Sequence, residues 1–441
     1  MRDCFSQIKL TIVLSLVFFL ALSTGVFASE LSELRELLEE QKRVIELLEK
    51  RVGELERQGA GDVGTRDKPY TSERELQELR HKVERIEESR RLEIESRNEL
   101  QEMRSQFGRN LGAFGDVNYA TDSRERINRT FTVGSFGLYS TASYNDRLNF
   151  VFEAVIVPHN DHSTVNLERL WAGYTLSDEL VVRAGRFHAA LGYWNKTYHH
   201  GRNLFLTLDR PFFLKFEDTS GVVPVHVVGL EVAGVKDLSS GKLKYWFQFG
   251  NGPSVKKDPH SWFYSSTKTN KLAPNTMLDN NDSKQSVVRL AFEPAFIKGL
   301  KLGAFATYFT VEGSARSATK FIRVHEAIGG VDLYYKRDRL EVIGEYYRFR
   351  NGKEEADAYY IQTAYSLGKL TPYGRYERLH STSRDPYMSV LTGGGNRHQY
   401  IAGVRYELDF LHSSLKAQFR YDYLRDMDTF NVYEFQWAFY F

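Results

Sequence analysis

The sequence predicts an all-β transmembrane barrel of about 16 antiparallel strands, preceded by an α-helical coiled-coil segment. Three observations carry this prediction. The chain ends in YEFQWAFYF, which puts Tyr433, Phe435, Trp437, Phe439 and Phe441 on one face of an extended strand and Glu434, Gln436, Ala438 and Tyr440 on the other. From residue 108 onward, apolar side chains recur at every second position in segments of about 10 to 14 residues. The connections between these segments alternate between tight turns and longer loops. Composition agrees. Mean hydropathy is −0.44, and no stretch after the N-terminus approaches the roughly 20 apolar residues that a membrane helix needs. Yet the chain carries 30 Phe and 26 Tyr. Alternation reconciles the two, because a membrane barrel hides its apolar residues at every second position.

Residues 1–28 read as an export signal. Arg2 and Lys9 precede an apolar run from Leu10 to Leu22, and Val26 and Ala28 supply a small-residue cleavage pattern after Ala28. Cys4, the only cysteine, lies before that run and leaves with it. The mature chain then has no thiol for a disulfide, a thiolate metal site or a cysteine nucleophile.

Residues 29–58 read as a coiled coil. Leu31, Leu38, Ile45 and Val52 take the a positions, and Leu34, Gln41, Leu48 and Leu55 the d positions. A lone helix would leave this seam in water, so partner helices are expected. Gln41 costs stability there but fixes register by pairing with its copies. Gly59, Gly61, Gly64 and Pro69 mark a linker over 59–72. A second helical segment over 73–107 carries Leu76, Leu79, Val83 and Ile86, then loses its pattern at Arg90 and Glu93. Its partner, in an oligomer or a helical hairpin, is left open. Charge changes sign at this boundary. Residues 29–107 hold 16 basic and 21 acidic residues, whereas 108–441 hold 41 and 35, as expected for different domains.

Residues 108–441 supply the strands. LNFVFEAVIV (148–157) sets Phe150, Phe152 and Ile156 against Asn149 and Glu153. GKLKYWFQFG (241–250) and SSLKAQFRYDYL (413–424) alternate in the same way. Every second break is a tight turn such as YND, SDE, LSSG or KRD, and the three longest breaks, 189–223, 251–284 and 380–396, all fall in the other set. Short periplasmic turns and long external loops give that asymmetry. An even strand count puts both barrel ends on the periplasmic side, beside the helical stalk. The terminal strand is expected to pair with a first strand near 109–119.

With the terminal aromatic strand and VVRAGRF (181–187), where an arginine-glycine-phenylalanine stretch precedes a loop, the barrel region resembles bacterial outer-membrane porins of the phosphate-selective type. A coiled-coil stalk before the barrel is similar to that of stalked porins. The resemblance implies the outer membrane of a Gram-negative bacterium and a water-filled channel for passive diffusion of small hydrophilic solutes. It also implies a homotrimer, contact with outer-membrane lipid and lipopolysaccharide, and recognition by the barrel-assembly machinery of Tyr433, Phe435, Trp437, Phe439 and Phe441. The stalk is free to meet peptidoglycan or another periplasmic partner. Nothing points to nucleic acid or to a cofactor. Porins of this size often fold the third external loop inward, which corresponds to 189–223 here.

That loop holds Lys196, Arg202, Asp209, Arg210, Lys215, Glu217 and Asp218. Opposed charges across a lumen set a transverse field and filter by charge and size. On the alternation, the wall adds Arg183, Arg289, Arg375, Arg405, Lys416 and Arg420, among Glu153, Glu231, Glu377 and Glu407. The small basic excess tilts the expectation toward a weak anion preference. His199 and His200 are adjacent, so in an extended segment their side chains point apart, and no metal site is expected. Two alternatives stay open: a ligand-specific receptor porin of the siderophore type, and a tether that holds the envelope through the stalk. No spacing supports an enzyme.

Overall fold

Strand-length alternation needs a closed sheet, because an unpaired edge cannot sit in hydrocarbon. A computed structural model has that form. It describes residues 111–123, 130–144, 147–158, 163–177, 179–198, 201–217, 221–257, 270–274, 283–314, 321–409, 412–424 and 429–441. The export signal, the coiled-coil seam, the linker and the second helical segment lie outside the described residues.

The strands are β1 (Leu111–Asp122), β2 (Thr130–Tyr144), β3 (Leu148–Pro158), β4 (Ser163–Ser177), β5 (Leu180–His188), β6 (His226–Leu238), β7 (Gly241–Asn251), β8 (Ser254–Lys257) and β9 (Asn270–Ala273). Then come β10 (Lys284–Pro294), β11 (Leu300–Ser314), β12 (Phe321–Arg337), β13 (Leu340–Asn351), β14 (Glu354–Tyr365), β15 (Leu370–His380), β16 (Asn396–Leu408), β17 (Ser413–Leu424) and β18 (Phe430–Tyr440). Sixteen of them form one antiparallel barrel among the described residues. β1 pairs with β2 on one side and β18 on the other, and β7 pairs directly with β10. β8 and β9 form a hairpin within the loop between β7 and β10, and β8 lies parallel to β11. That hairpin falls inside the break expected at 251–284. Four-residue strands are too short to show a period of two.

Tight connections at 145–147, 178–179, 239–240, 295–299, 338–339, 366–369 and 409–412 share one end of the barrel. The longer ones share the other end, together with two short ones: the four-residue break between β3 and β4, and Gly352 and Lys353, which alone close β13 onto β14, with Gly352 at φ 69°. Both barrel termini lie at the short-turn end.

The seam is closed by backbone hydrogen bonds. The Ala113 N–H donates to the Phe441 carbonyl (2.8 Å), and the Phe441 N–H donates back to Ala113 (2.9 Å). Tyr433, Phe435 and Phe441 are each about half exposed on the outward face, and Phe435 lies 6.3 Å from the Tyr119 ring across the seam. Deleting Phe441 removes both hydrogen bonds and the last outward ring. The fraction of heat-modifiable, folded barrel recovered from membranes is expected to fall against wild type; equal recovery would refute a role for this residue in closure.

One irregularity re-aims a side chain. The β3–β4 register slips between Glu153 and Ala154, so Glu168 is an extra residue beside Arg169. A bulge leaves one residue unpaired and bends the strand locally. Both Glu168 and Arg169 are buried.

The lumen is not uniformly polar. Many inward positions on β11–β14 are apolar: Phe305, Phe309, Ile328, Ile343, Tyr347, Phe349 and Ala358 are all buried in one cluster, beside inward polar groups such as Asp332 and Glu345. The same cluster takes in Trp194, Phe205, Phe212, Phe213 and Leu214 from the connection between β5 and β6. Wall and loop therefore share a core, and each such large side chain contributes roughly 1.5–3 kcal/mol of burial.

Candidate functional site

Two glycines let the chain leave β5 for the lumen. Gly185, in the VVRAGRF stretch, has φ 135°, and a Cβ there would collide with the Leu170 carbonyl on β4. Gly192 has φ 82°, and a Cβ there would strike the Glu345 carboxylate and the Tyr347 hydroxyl of β13. From it runs a short helix, α1 (Gly192–Thr197), followed by 3-10 turns at Arg202–Leu204 and Phe212–Leu214. A buried stretch of backbone needs partners for its N–H and C=O groups. Here the opposite wall supplies them.

Glu345 accepts from the Trp194 N–H (2.5 Å), and Gln418 of β17 accepts from Leu208 N–H (3.2 Å). Glu377 of β15 accepts from Phe212 N–H (2.5 Å). Cations take the carbonyls. Arg375 donates to the Asp209 and Arg210 carbonyls (2.9 and 3.3 Å) and to the Thr207 hydroxyl (2.7 Å). Arg405 donates to the Asn203 and Phe205 carbonyls (2.6 and 3.0 Å). Lys416 donates to the Arg202 and Thr207 carbonyls. These three wall cations, placed inward by alternation, are anchors of the loop.

The other wall charges that the alternation singled out are paired. Arg183 bonds Glu231, with its guanidinium 4.9 Å from the Trp171 ring. Arg289 is held by Asp332, Glu153 by Arg169 (2.5 Å), and Arg375 also by Glu377 (2.7 Å). Arg420 meets Glu434 (3.0 Å) and Asp422 (3.2 Å), and Arg405 meets Glu407 (2.5 Å).

The loop residues divide into three places. Lys196 is buried against Glu231 (3.5 Å) and Trp246, away from the other charges. Arg210 and Glu217 lie buried at the root of the loop. Arg202, Asp209 and Lys215 come together: Arg202 is 3.1 Å from Asp209 and 3.7 Å from Asp116 of β1, and Lys215 is 3.9 Å from Asp209. All three loop side chains keep about 30% of their surface in water. Facing them are Arg420, Arg397 and Glu434 on β16–β18. Burial would raise the Asp209 pKa, but Arg202, Lys215, Arg420 and Arg375 together hold it well below the usual carboxylate range. Asp209 therefore stays ionised. Asp218, His199 and His200 lie outside the described residues.

Sequence reasoning did not single out Asp116, Asp332, Arg397, Asp422 or Glu434. Parity along β1, β12 and β16–β18 places them inward, so the signal was present once the strands were in register.

At the root of the loop, Glu217 accepts from the Val225 and His226 N–H groups (2.8 Å each), and its other oxygen lies 3.0 Å from His226 Nδ1. His226 Nε2 in turn faces Glu168 (3.3 Å), beside Arg186. Burial works to raise the Glu217 pKa, but His226, Arg186 and the backbone donors lower it to about 2. A depressed carboxylate pKa stabilises the fold above its ordinary value of 4.5, and that contribution is lost as pH falls toward 2. Loop noise in single-channel recordings is expected to rise between pH 4.5 and about 2. Glu217→Gln should abolish that pH dependence; an identical response in both proteins would refute the latch.

No protein-family model matches the sequence, and no curated protein matches it as a relative. Among solved structures, the chain is similar to an anion-selective porin from Comamonas acidovorans, at 12% identity and TM-score 0.50, over 75% of this chain and 98% of that one. It is similar to the outer membrane channel DcaP of Acinetobacter baumannii at 12% identity and TM-score 0.49, over 75% and 96%. It also resembles the trimer form of OmpT, an outer membrane protein of Vibrio cholerae, at 13% identity and TM-score 0.48, over 75% and 99%. The fold is that of outer-membrane porins.

Proposed function

We propose that this outer-membrane barrel is a diffusion channel for small hydrophilic solutes, narrowed between the 189–225 loop and the wall formed by β1 and β16–β18. One observation carries the reading. The loop is sealed along its apolar edge against β11–β14, while its charged edge, Arg202, Asp209 and Lys215, stays in water opposite Arg397, Arg420 and Glu434. A passing solute meets charges of both signs there, which is the arrangement for a transverse field. The long-loop end faces outward from the cell, and the stalk occupies the periplasm.

Because the lumen's cations are paired with carboxylates or spent on loop carbonyls, the preference for anions is weak. The barrel assembles as a homotrimer. Its outward face on β2–β4 leaves Phe131, Val133 and Val165 exposed near the long-loop end, where apolar contact with a neighbouring copy covers them.

Purified folded protein in planar bilayers is expected to give stepwise conductance, in threes for a trimer. A bilayer that stays silent with heat-modifiable protein present refutes the channel. Block by micromolar solute would instead favour a ligand-specific receptor.

A further inference from the structure

Glu153, Glu231, Asp332 and Glu377 are buried carboxylates that each meet a cation. Glu326 does not. It lies on the inward face of β12 near the long-loop end, fully buried, and neither of its oxygens has a hydrogen-bond or ion-pair partner among the described residues. Its cross-strand partner on β13 is Asn351, also fully buried. The Asn351 Nδ2 donates to Asp385 Oδ2 (2.6 Å), and the Asn351 Oδ1 has no partner. Asp385 belongs to the connection between β15 and β16, just before a short helix, α2 (Met388–Thr392). It is fully buried, and its other oxygen accepts from the Tyr387 and Met388 N–H groups (2.9 Å each). Asp385 is also the charge that bears on Glu326.

One amide thus stands between two buried carboxylates, and the oxygens without partners are both of Glu326 and that of Asn351. Buried charges are paired or coordinate metals. The donors on Asp385 are neutral, so they satisfy its oxygens and cancel no charge. A shared proton would serve one pair of oxygens. A divalent cation serves both carboxylates and the amide oxygen together and cancels both charges. Calcium accepts irregular sets of about six to eight oxygens, carboxylate and amide among them, whereas magnesium demands a near-ideal octahedron.

We propose that Glu326, Asn351 and Asp385 bind a calcium ion, with water in the remaining positions. The ion joins the wall at β12–β13 to the 381–395 connection. That connection carries two other ties. The Tyr387 hydroxyl donates to the Val222 carbonyl of the inward loop (2.6 Å), and Asn270 of β9 donates to the Val390 carbonyl (3.1 Å). A single site therefore pins three inward segments at the long-loop end. The inference is independent of channel activity.

Calorimetric titration tests it, on full-length protein refolded in detergent without lipopolysaccharide and stripped with chelator. The probes are calcium chloride and magnesium chloride. The expected result is one calcium per chain with a dissociation constant on the order of 10 μM, and magnesium about tenfold weaker. Glu326→Gln should weaken calcium binding by about tenfold or more while the protein remains heat-modifiable, and Asn351→Asp should strengthen it. Calcium should also slow amide hydrogen exchange across 381–395 in wild type. Wild type that takes up no calcium at about 1 mM overturns the proposal without any variant, and leaves the two carboxylates to share a proton. Calcium binding that is unchanged in Glu326→Gln, or slowed exchange confined to other segments, places the ion elsewhere and overturns it too.

Discussion

Replacing Arg375 with alanine raises single-channel conductance and lowers the thermal stability of the barrel. Arg375 is the busiest anchor of the inward loop, donating to the Thr207 hydroxyl and the Asp209 and Arg210 carbonyls and forming an ion pair with Glu377. Both partners of the pair are fully buried. Removing one member leaves a buried carboxylate without its cation, at a cost of about 3–5 kcal/mol. It also leaves loop carbonyls without donors, so the segment around Asp209 swings from the wall and the passage widens. The double variant Arg375→Ala/Glu377→Ala separates the two effects. It carries no orphaned charge, so its unfolding temperature recovers much of the loss. Its conductance stays high, because the loop has lost the Arg375 donors and the Glu377 acceptor for Phe212. Conductance equal to wild type in both variants would show that the loop is not what limits flow.

Reversing charge on the loop edge changes which ions pass. The cluster at the loop edge pairs Arg202, Lys215, Arg397 and Arg420 with Asp116, Asp209, Asp422 and Glu434, so its formal charges cancel. Arg202→Glu with Lys215→Glu alters that balance by four units. Each unit acts on an ion passing at roughly 7 Å with about 0.6 kcal/mol in water. Even after screening in physiological salt, the cation-to-anion permeability ratio is expected to rise by about tenfold. Reversal potentials in a salt gradient measure it directly. Lys196→Glu serves as the contrast, since Lys196 is buried against Glu231 on the sealed side and should move the reversal potential little. If the Lys196 variant shifts the potential as much as the loop-edge pair, the ion path runs on the other side of the loop.

Much of the barrel was legible because period-two alternation is a local signal. The segments around Leu148, Leu243 and Leu415 read inward and outward from neighbouring residues alone, and their faces stand as the alternation requires. The inward direction of Arg375, Arg405, Lys416 and Arg420 followed from the same parity. What these cations touch did not follow. Lys416 meets Arg202 across 214 positions of sequence, and Arg375 meets Thr207 across 168. No local pattern carries such distances. The apolar filling was legible in part: LGAFATYF (302–309) is apolar on both faces, which a strand with water on one side would not be. The β8–β9 hairpin and the Glu168 bulge left no signal longer than a few residues.

The position of the loop in the chain bears on the order in which the protein is made. Residues 189–225 precede every wall residue that anchors them on β13, β15, β16 and β17. While the N-terminal strands are already paired, the loop has Asp116 of β1 to meet but none of these anchors. Contacts this distant in sequence form late, because closing so long a segment costs entropy before any contact repays it. The filter thus sets last, after the hoop is shut, and a partly threaded chain passes through a wide, unfiltered stage. Slow insertion into the envelope would show itself as transient leakage to solutes that the finished protein excludes.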